Sequence, residues 1–159
     1  MAVASIGLGA NLGDARAMLQ GVRDELAHLA STRLLAFSPL YRSAPVDASG
    51  PDFINAVAVL DTGLSAHALL AELQAIEGRH GRQRSHRNAP RTLDLDLLLY
   101  GDDTIDTPEL VLPHPRLHER AFALRPLLDV LPAARIPGRG AAADWLASVA
   151  DQRIEKLSP

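Results

Sequence analysis

Asp94 and Asp96 stand two residues apart in the run Pro90-Arg91-Thr92-Leu93-Asp94-Leu95-Asp96-Leu97-Leu98-Leu99-Tyr100, an otherwise apolar stretch too rich in leucine for a loop. In a strand, side chains repeat with period two, so both carboxylates take one face while Leu93, Leu95 and Leu97 take the other. Their Cα atoms then lie about 6.6 Å apart, and at an effective dielectric of about 20 the bare carboxylates repel by roughly 2 to 3 kcal/mol. A cation between them relieves that repulsion. Hard oxygen donors favour Mg2+, which takes one or two protein carboxylates and completes its shell with water and substrate phosphate. The pattern is that of a phosphate-handling metal site.

The preceding segment supplies the opposite charge. Arg79, Arg82, Arg84, Arg87 and Arg91 follow one another without an intervening acid, in a chain whose formal net charge is -3. Guanidinium forks suit phosphate oxygens, whereas Lys156, the only lysine, lies far away near the C-terminus. A Walker-type loop is excluded because no Gly-Lys-Ser/Thr end is present. Taken alone, an arginine run is as readily a solvated face or a nucleic-acid patch as a phosphate site, and the neighbouring aspartates shift the balance toward phosphate. A metal-dependent nuclease or nucleotidyltransferase would use the same acids but needs a longer basic track. An RNA-binding module needs exposed aromatic platforms, and only 4% of residues are aromatic.

Composition bounds the frame that holds these residues. With 159 residues, 47% of them hydrophobic, the chain can bury one sizeable core, and a single domain is expected. There is no cysteine, which rules out disulfides, thiolate metal sites and a cysteine nucleophile. The first residues lack a basic segment, Gly7 and Gly9 interrupt their apolar run, and no stretch has membrane-spanning length. A cytoplasmic setting is expected.

The periodicities predict alternating strands and helices. Val3 to Leu8 reads as a strand, residues 9–14 as a turn with Asp14 as helix cap, and Met18, Val22, Leu26 and Leu29 as one apolar helical stripe. Leu34 to Tyr41 reads as a strand ended or edged by Pro39, and Ser43 to Pro51 as a loop. Phe53 to Leu60 alternates, with Phe53, Asn55, Val57 and Val59 on one face. A helix capped by Ser65 runs to about His80 and Gly81, burying Leu69, Leu73 and Ile76, with Gln74 and Glu77 on a face leading to the arginine segment. Beyond the Leu93 to Tyr100 strand come short strands at Thr104 to Asp106 and Leu110 to Leu112. A third helix opens at Pro115, carries Leu117, Phe122 and Leu124, and is kinked or divided by Pro126. Ala142 to Val149 reads as a helix with Trp145 as core anchor, and Ile154 to Leu157 as a return to the sheet edge.

Other signals are weaker. Gly7, Gly9 and Gly13 are spaced two then four, not two then three as in a dinucleotide fingerprint, and read as a tight strand-to-helix turn. His114 and His118 are four apart, but no His-Glu-x-x-His pattern or third ligand accompanies them, which disfavours zinc.

Taken together, Gly7-Leu8-Gly9-Ala10-Asn11-Leu12-Gly13-Asp14, Tyr41-Arg42-Ser43-Ala44-Pro45, Phe53-Ile54-Asn55, Pro90-Arg91-Thr92-Leu93-Asp94-Leu95-Asp96 and Pro113-His114-Pro115-Arg116 resemble the 6-hydroxymethyl-7,8-dihydropterin pyrophosphokinase family of folate biosynthesis. The match spans nearly the whole chain in order. It implies an α+β, ferredoxin-like arrangement, a mostly antiparallel sheet with helices packed on its faces in a single compact domain, residues 1–159. It further implies pyrophosphoryl transfer from Mg-ATP to the pterin hydroxymethyl group with release of AMP. By position, the resemblance makes Asp94 and Asp96 the ligands of two Mg2+ ions and gives Arg82 and Arg91 catalytic roles beside them. Gln74, Glu77, Arg82, Arg84, Arg87, Arg91, Leu97, His114 and Arg120 match the ATP site. Ser43, Pro45, Val46, Phe53, Asn55, Asp94 and Phe122 match the pterin site, where aromatic faces and an amide suit a flat heterocycle. The expected partners are therefore ATP and the pterin, with no nucleic acid and no membrane, and the expected state is a monomer. Two positions depart from the family pattern. Asn88 stands where many relatives carry an aromatic residue, which predicts a looser or differently sealed closure, and Phe53 stands where a tyrosine also occurs. The loops Ser43 to Pro51 and Gly81 to Ala89 are expected to move on binding, with ATP binding first.

Overall fold

The computed structural model describes residues 1–11, 14–44, 51–81 and 93–159. The chain runs β1 (Ala2–Ala10), α1 (Ala15–Ala27), β2 (Thr32–Phe37), β3 (Tyr41–Ser43), β4 (Phe53–Thr62), α2 (Ala66–Arg79), β5 (Asp94–Tyr100), β6 (Ile105–Asp106) and β7 (Val111–Leu112). A 3-10 turn at Leu117–Glu119 leads into α3 (Ala121–Val130), followed by β8 (Arg135–Ile136), β9 (Gly140–Ala141), 3-10 turns at Ala142–Trp145 and Ala147–Val149, and β10 (Ile154–Lys156).

The main sheet has the order β10-β3-β4-β1-β5, with β2 also paired to β4, and its pairings are antiparallel. This is the expected α+β arrangement. The alternation expected in β4 is present: Ile54, Ala56, Ala58 and Leu60 face one core, whereas Val57 faces another. The first core also takes Ala4, Ile6, Leu8 and Ala10 of β1 and Leu95 and Leu97 of β5. Leu19, Val22 and Leu26 of α1 and Leu69, Leu73 and Ile76 of α2 cover it, all fully buried. Each such side chain contributes about 1.5–3 kcal/mol by leaving water. Across the sheet, Val57, Leu98 and Leu99 meet Leu124 and Leu127 of α3, together with Ile136 and Val149. One helical layer thus leaves part of the opposite sheet face open beside α3, and the site lies there.

Local chemistry sets the helix ends. Asp14 accepts the Ala17 N–H at 3.0 Å and Ser65 accepts the Ala68 N–H at 3.1 Å, each satisfying a donor that the first turn leaves unpaired. After α2, Gly81 takes a left-handed conformation (φ +80°) that costs glycine little.

Four expectations are corrected. The strand expected over Leu34 to Tyr41 is two strands on successive stretches of one β4 edge. Between them, Ser38 bonds Val57 through both its N–H and its Oγ, each at 2.9 Å, beside a proline that has no N–H to give the ladder. The third helix starts at Ala121 rather than Pro115, because Arg120 is extended (φ -125°, ψ 113°), and buried Pro126 lies inside α3 without dividing it. The segment Ala142 to Val149 forms two 3-10 turns, and Trp145 is only partly buried, its Nε1 donating to the Arg139 carbonyl at 3.1 Å. Finally, Gly7 and Gly9 are not in a turn but within β1.

Candidate functional site

Three adjacent strands lay the site out in rows. Gly9 of β1 is paired with Asn55 of β4 on one side and Asp94 of β5 on the other, and Gly7 is paired with Val57 and Asp96. At about 4.8 Å between neighbouring strands, Asn55 and Asp94 face each other across a glycine at roughly 10 Å. A Cβ on Gly9 would stand 3.3 Å from Asn55 Nδ2 and 3.7 Å from Phe53 Cδ1. The missing side chain therefore leaves a flat floor between the amide and the acid. The glycine spacing alone did not disclose this. The signal that carries it is the period-two alternation of Ile6, Leu8 and Ala10, which sends Gly7 and Gly9 to the other face.

Around this floor lies a cavity of about 230 Å3, lined among others by Gly7, Gly9, Ser43, Phe53, Asn55, Asp94, Asp96, Arg120 and Phe122. Asn55 is buried, and its Oδ1 accepts the Ser43 hydroxyl at 2.6 Å, which orients the amide nitrogen toward Gly9. Phe53 and Phe122 give aromatic surface, and the Arg120 guanidinium lies 5.4 Å from the centroid of the Phe122 ring. That is below the roughly 300–1,000 Å3 typical of ligand clefts, so the enclosed part suits one small molecule beside the two acids.

The acids behave as the alternation predicts. Asp94 and Asp96 reach the cavity, whereas Leu95 and Leu97 point into the helical core on the far face. Between the acids, the Leu95 N–H donates to Glu77 Oε2 at 2.8 Å, and Glu77 is buried at 2% exposure. His114 stands beside them, its Nε2 3.9 Å from Asp96 Oδ1. Its Nδ1 accepts the Arg116 N–H at 3.1 Å, so in the neutral ring the proton is on Nε2 and faces the acid. Burial and the positive Arg120 lower the His114 pKa from the ordinary histidine value, with a smaller push from Arg116, against the pull of Asp94. The backbone N–H of His114 donates to the Leu98 carbonyl at 2.9 Å and fixes the segment to β5.

Of the residues singled out from sequence, Ser43, Phe53, Asn55, Asp94, Asp96, Arg120 and Phe122 line one cavity. Gln74 is exposed on α2. Glu77 and Leu97 are buried, and the Leu97 side chain is turned away from the cavity into the helical core. Pro45, Val46, Arg82, Arg84, Arg87 and Arg91 lie outside the described residues, as do Asn88 and most of the two loops expected to move.

The donor set fits a hard divalent cation. Two carboxylates on one strand face, opening into a cavity, match the one or two protein ligands with which Mg2+ binds phosphate substrates, and no third histidine or acid joins them in a cluster among the described residues. The arrangement offers a planar heterocycle aromatic surface and an amide, with two carboxylates in the same cavity.

Comparison with known proteins agrees with this geometry. The model of the 7,8-dihydro-6-hydroxymethylpterin-pyrophosphokinase (HPPK) family matches residues 5–132. A 2-amino-4-hydroxy-6-hydroxymethyldihydropteridine pyrophosphokinase of Pseudomonas aeruginosa is 45% identical over 153 residues, covering 96% of this chain and 94% of the relative. One of Haemophilus influenzae, with the same name, is 38% identical over 160 residues and is matched along the full length of both chains. Among solved structures, an HPPK-DHPS chain in complex with substrates superposes with a TM-score of 0.76 at 13% identity, over 92% of this chain and 43% of that one. The Plasmodium falciparum HPPK-DHPS with pteroate gives 0.73 at 14% identity, over 94% and 42%. At those identities the structures establish the fold, and this chain spans less than half the length of either.

Proposed function

This chain belongs to the 7,8-dihydro-6-hydroxymethylpterin-pyrophosphokinase family, and from that membership we infer that it transfers pyrophosphate from ATP to the hydroxymethyl group of 6-hydroxymethyl-7,8-dihydropterin, giving the pterin pyrophosphate and AMP in folate biosynthesis. The observation that supports this site reading is the row Asn55-Gly9-Asp94, in which a side-chain amide and a carboxylate flank one glycine floor.

In this reading the pterin ring lies over Gly9 between Phe53 and Phe122, with Ser43, Asn55, Pro45 and Val46 at its edge. Its hydroxymethyl group is directed toward Asp94. The hydroxyl oxygen attacks the β-phosphorus of ATP, the new O–P bond forms as the bond from that phosphorus to the α-phosphate oxygen breaks, and AMP leaves. Asp94, the acid in the pterin row, receives the hydroxyl proton. Asp94 and Asp96 would hold two Mg2+ ions, which would supply charge neutralisation and in-line alignment of the phosphates. Arg82 and Arg91 stabilise the transferring group, and Gln74, Arg84, Arg87, His114 and Arg120 line the nucleotide. Glu77 acts from beneath by holding the Leu95 N–H, and Leu97 contributes backbone. The His114 Nε2–H faces Asp96 at 3.9 Å, close enough to act on its charge but too far for a hydrogen bond.

The same reading takes residues 1–159 as one domain working as a cytoplasmic monomer on small molecules. No helix among the described residues is long and apolar enough to cross a membrane. The test is incubation of the purified chain with ATP, the reduced hydroxymethyl pterin and Mg2+. AMP that forms only when the pterin is present supports the assignment, and ADP formation or AMP release independent of the pterin contradicts it.

A further inference from the structure

The start of α3 is held from the far end of the chain. Arg120 precedes the helix in an extended conformation and gives it no side-chain cap, so the first-turn donors need a partner from elsewhere. Gln152 provides one. Its Oε1 accepts the Ala121 N–H at 2.8 Å, and its Nε2 donates to the Glu119 carbonyl at 2.7 Å. One side-chain amide thus grips the backbone on both sides of Arg120. Gln152 is fixed in turn, its own N–H donating to the Val149 carbonyl at 3.0 Å after the last 3-10 turn. Two residues later β10 begins, pairing Ile154 with Ser43, the residue that orients Asn55. Gln152 itself lies outside the substrate cavity, in an adjoining cleft of about 340 Å3 that shares Ser43, Ala44, Arg120 and Phe122 with it.

We propose that Gln152 is a positioning residue for Arg120: its bidentate bracket on residues 119 and 121 sets the direction in which the Arg120 guanidinium enters the nucleotide and pterin cavity, stacked on Phe122. Arg120 is extended between a 3-10 turn and α3; its carbonyl already accepts the Ala123 and Leu124 N–H groups at 3.1 and 3.0 Å, which leaves tilting of its flanking peptide groups as the freedom with which its side chain swings. Two hydrogen bonds to flanking peptide groups remove that freedom before substrate arrives. This proposal rests on the role given to Arg120 above.

The test is a double-variant cycle in the full-length chain, with kcat and KM for ATP and for the pterin measured in Gln152→Ala, Arg120→Ala and the combined variant, and with urea unfolding of each. The expected result is an approximately tenfold fall in kcat/KM for Gln152→Ala at a urea midpoint that shows a folded protein, and little or no further fall when the same change is made in the Arg120→Ala background. Gln152→Glu keeps the acceptor for Ala121 but places a second acceptor against the Glu119 carbonyl. It breaks the Glu119 half of the bracket, so its loss should likewise vanish in the Arg120→Ala background, and it serves for the cycle if the alanine variant unfolds. Losses that multiply independently, or full activity in a folded Gln152→Ala variant, overturn the proposal while leaving the site reading intact. Wild-type activity in Arg120→Ala overturns the role of Arg120 and the proposal with it, an outcome told apart by the single variant.

Discussion

Glu77 Oε2 accepts the backbone N–H of Leu95 at 2.8 Å, and Leu95 is the residue between the two acids Asp94 and Asp96. Among the described residues, strand β5 is the last strand of the main sheet, and no strand neighbours its outward N–H groups. A buried carboxylate from α2 satisfies one of them at the position that decides where both aspartates point. Glu77→Ala is expected to lower stability by about 1–3 kcal/mol, the cost of a buried donor losing its acceptor. Glu77→Gln retains an amide oxygen for that donor and should lose less than half as much. Urea unfolding of the three proteins checks the order.

The glycine floor predicts a substrate-specific defect. A methyl group at position 9 would crowd Asn55 Nδ2 at 3.3 Å and occupy space over the floor, without left-handed backbone strain. Gly9→Ala should raise the KM for the pterin about tenfold, equivalent to about 1.4 kcal/mol, and change the KM for ATP by less than about threefold. Steady-state kinetics with each substrate varied in turn checks this, and equal effects on both would place the pterin elsewhere.

The amide orientation predicts a further dissection. The Ser43 hydroxyl donates to Asn55 Oδ1 at 2.6 Å within the buried wall. Ser43→Ala removes the donor and releases the amide to rotate, so pterin affinity should fall by about three- to tenfold, a loss of about 0.5–1.5 kcal/mol typical of one hydrogen bond. Calorimetric titration of the pterin in the presence of a non-hydrolysable ATP analogue measures it.

Acid sensitivity should be traceable to one ion-pair cluster. Glu25 of α1 receives Arg79 Nη2 at 3.1 Å and His80 Nε2 at 2.5 Å, which ties α1 to the end of α2. Burial raises the Glu25 carboxyl, but the hydrogen bonds and positive charge of His80 and Arg79 outweigh it and hold the pKa below its ordinary value. A carboxyl lowered in the folded state binds fewer protons than in the unfolded chain. Its contribution is therefore complete above the ordinary glutamate value of 4.5 and is lost as pH falls through the folded value. Glu25→Gln should flatten that part of the stability profile, as read from urea midpoints across pH.

Much of the site was legible because it obeys local periodicities. Asp94 and Asp96 share a face for the same period-two reason that Leu95 and Leu97 share the other. Asn55 and Phe53 followed from the alternation of β4, and the Asp14 and Ser65 caps from the residue types that accept first-turn donors. What was not legible depended on partners remote in sequence. The third helix starts at Ala121 because its cap comes from Gln152, 31 residues further on, and no signal near Pro115 announces that. The break at Ser38 depends on a side chain replacing a ladder bond to Val57, which propensity does not record. The floor role of Gly7 and Gly9 needed the registers of β4 and β5 against β1, although the alternation of β1 already gave their face.

The most direct measurement is pterin-dependent AMP formation by Asp96→Ala beside the parent chain at saturating ATP and Mg2+, with urea unfolding of both. A carboxylate that clamps the metal-bound triphosphate should cost roughly a hundredfold or more in turnover when removed, with stability changed by no more than about 0.5–1 kcal/mol. A folded Asp96→Ala protein that releases AMP at the parental rate would contradict the assignment of the paired acids as the centre of the reaction.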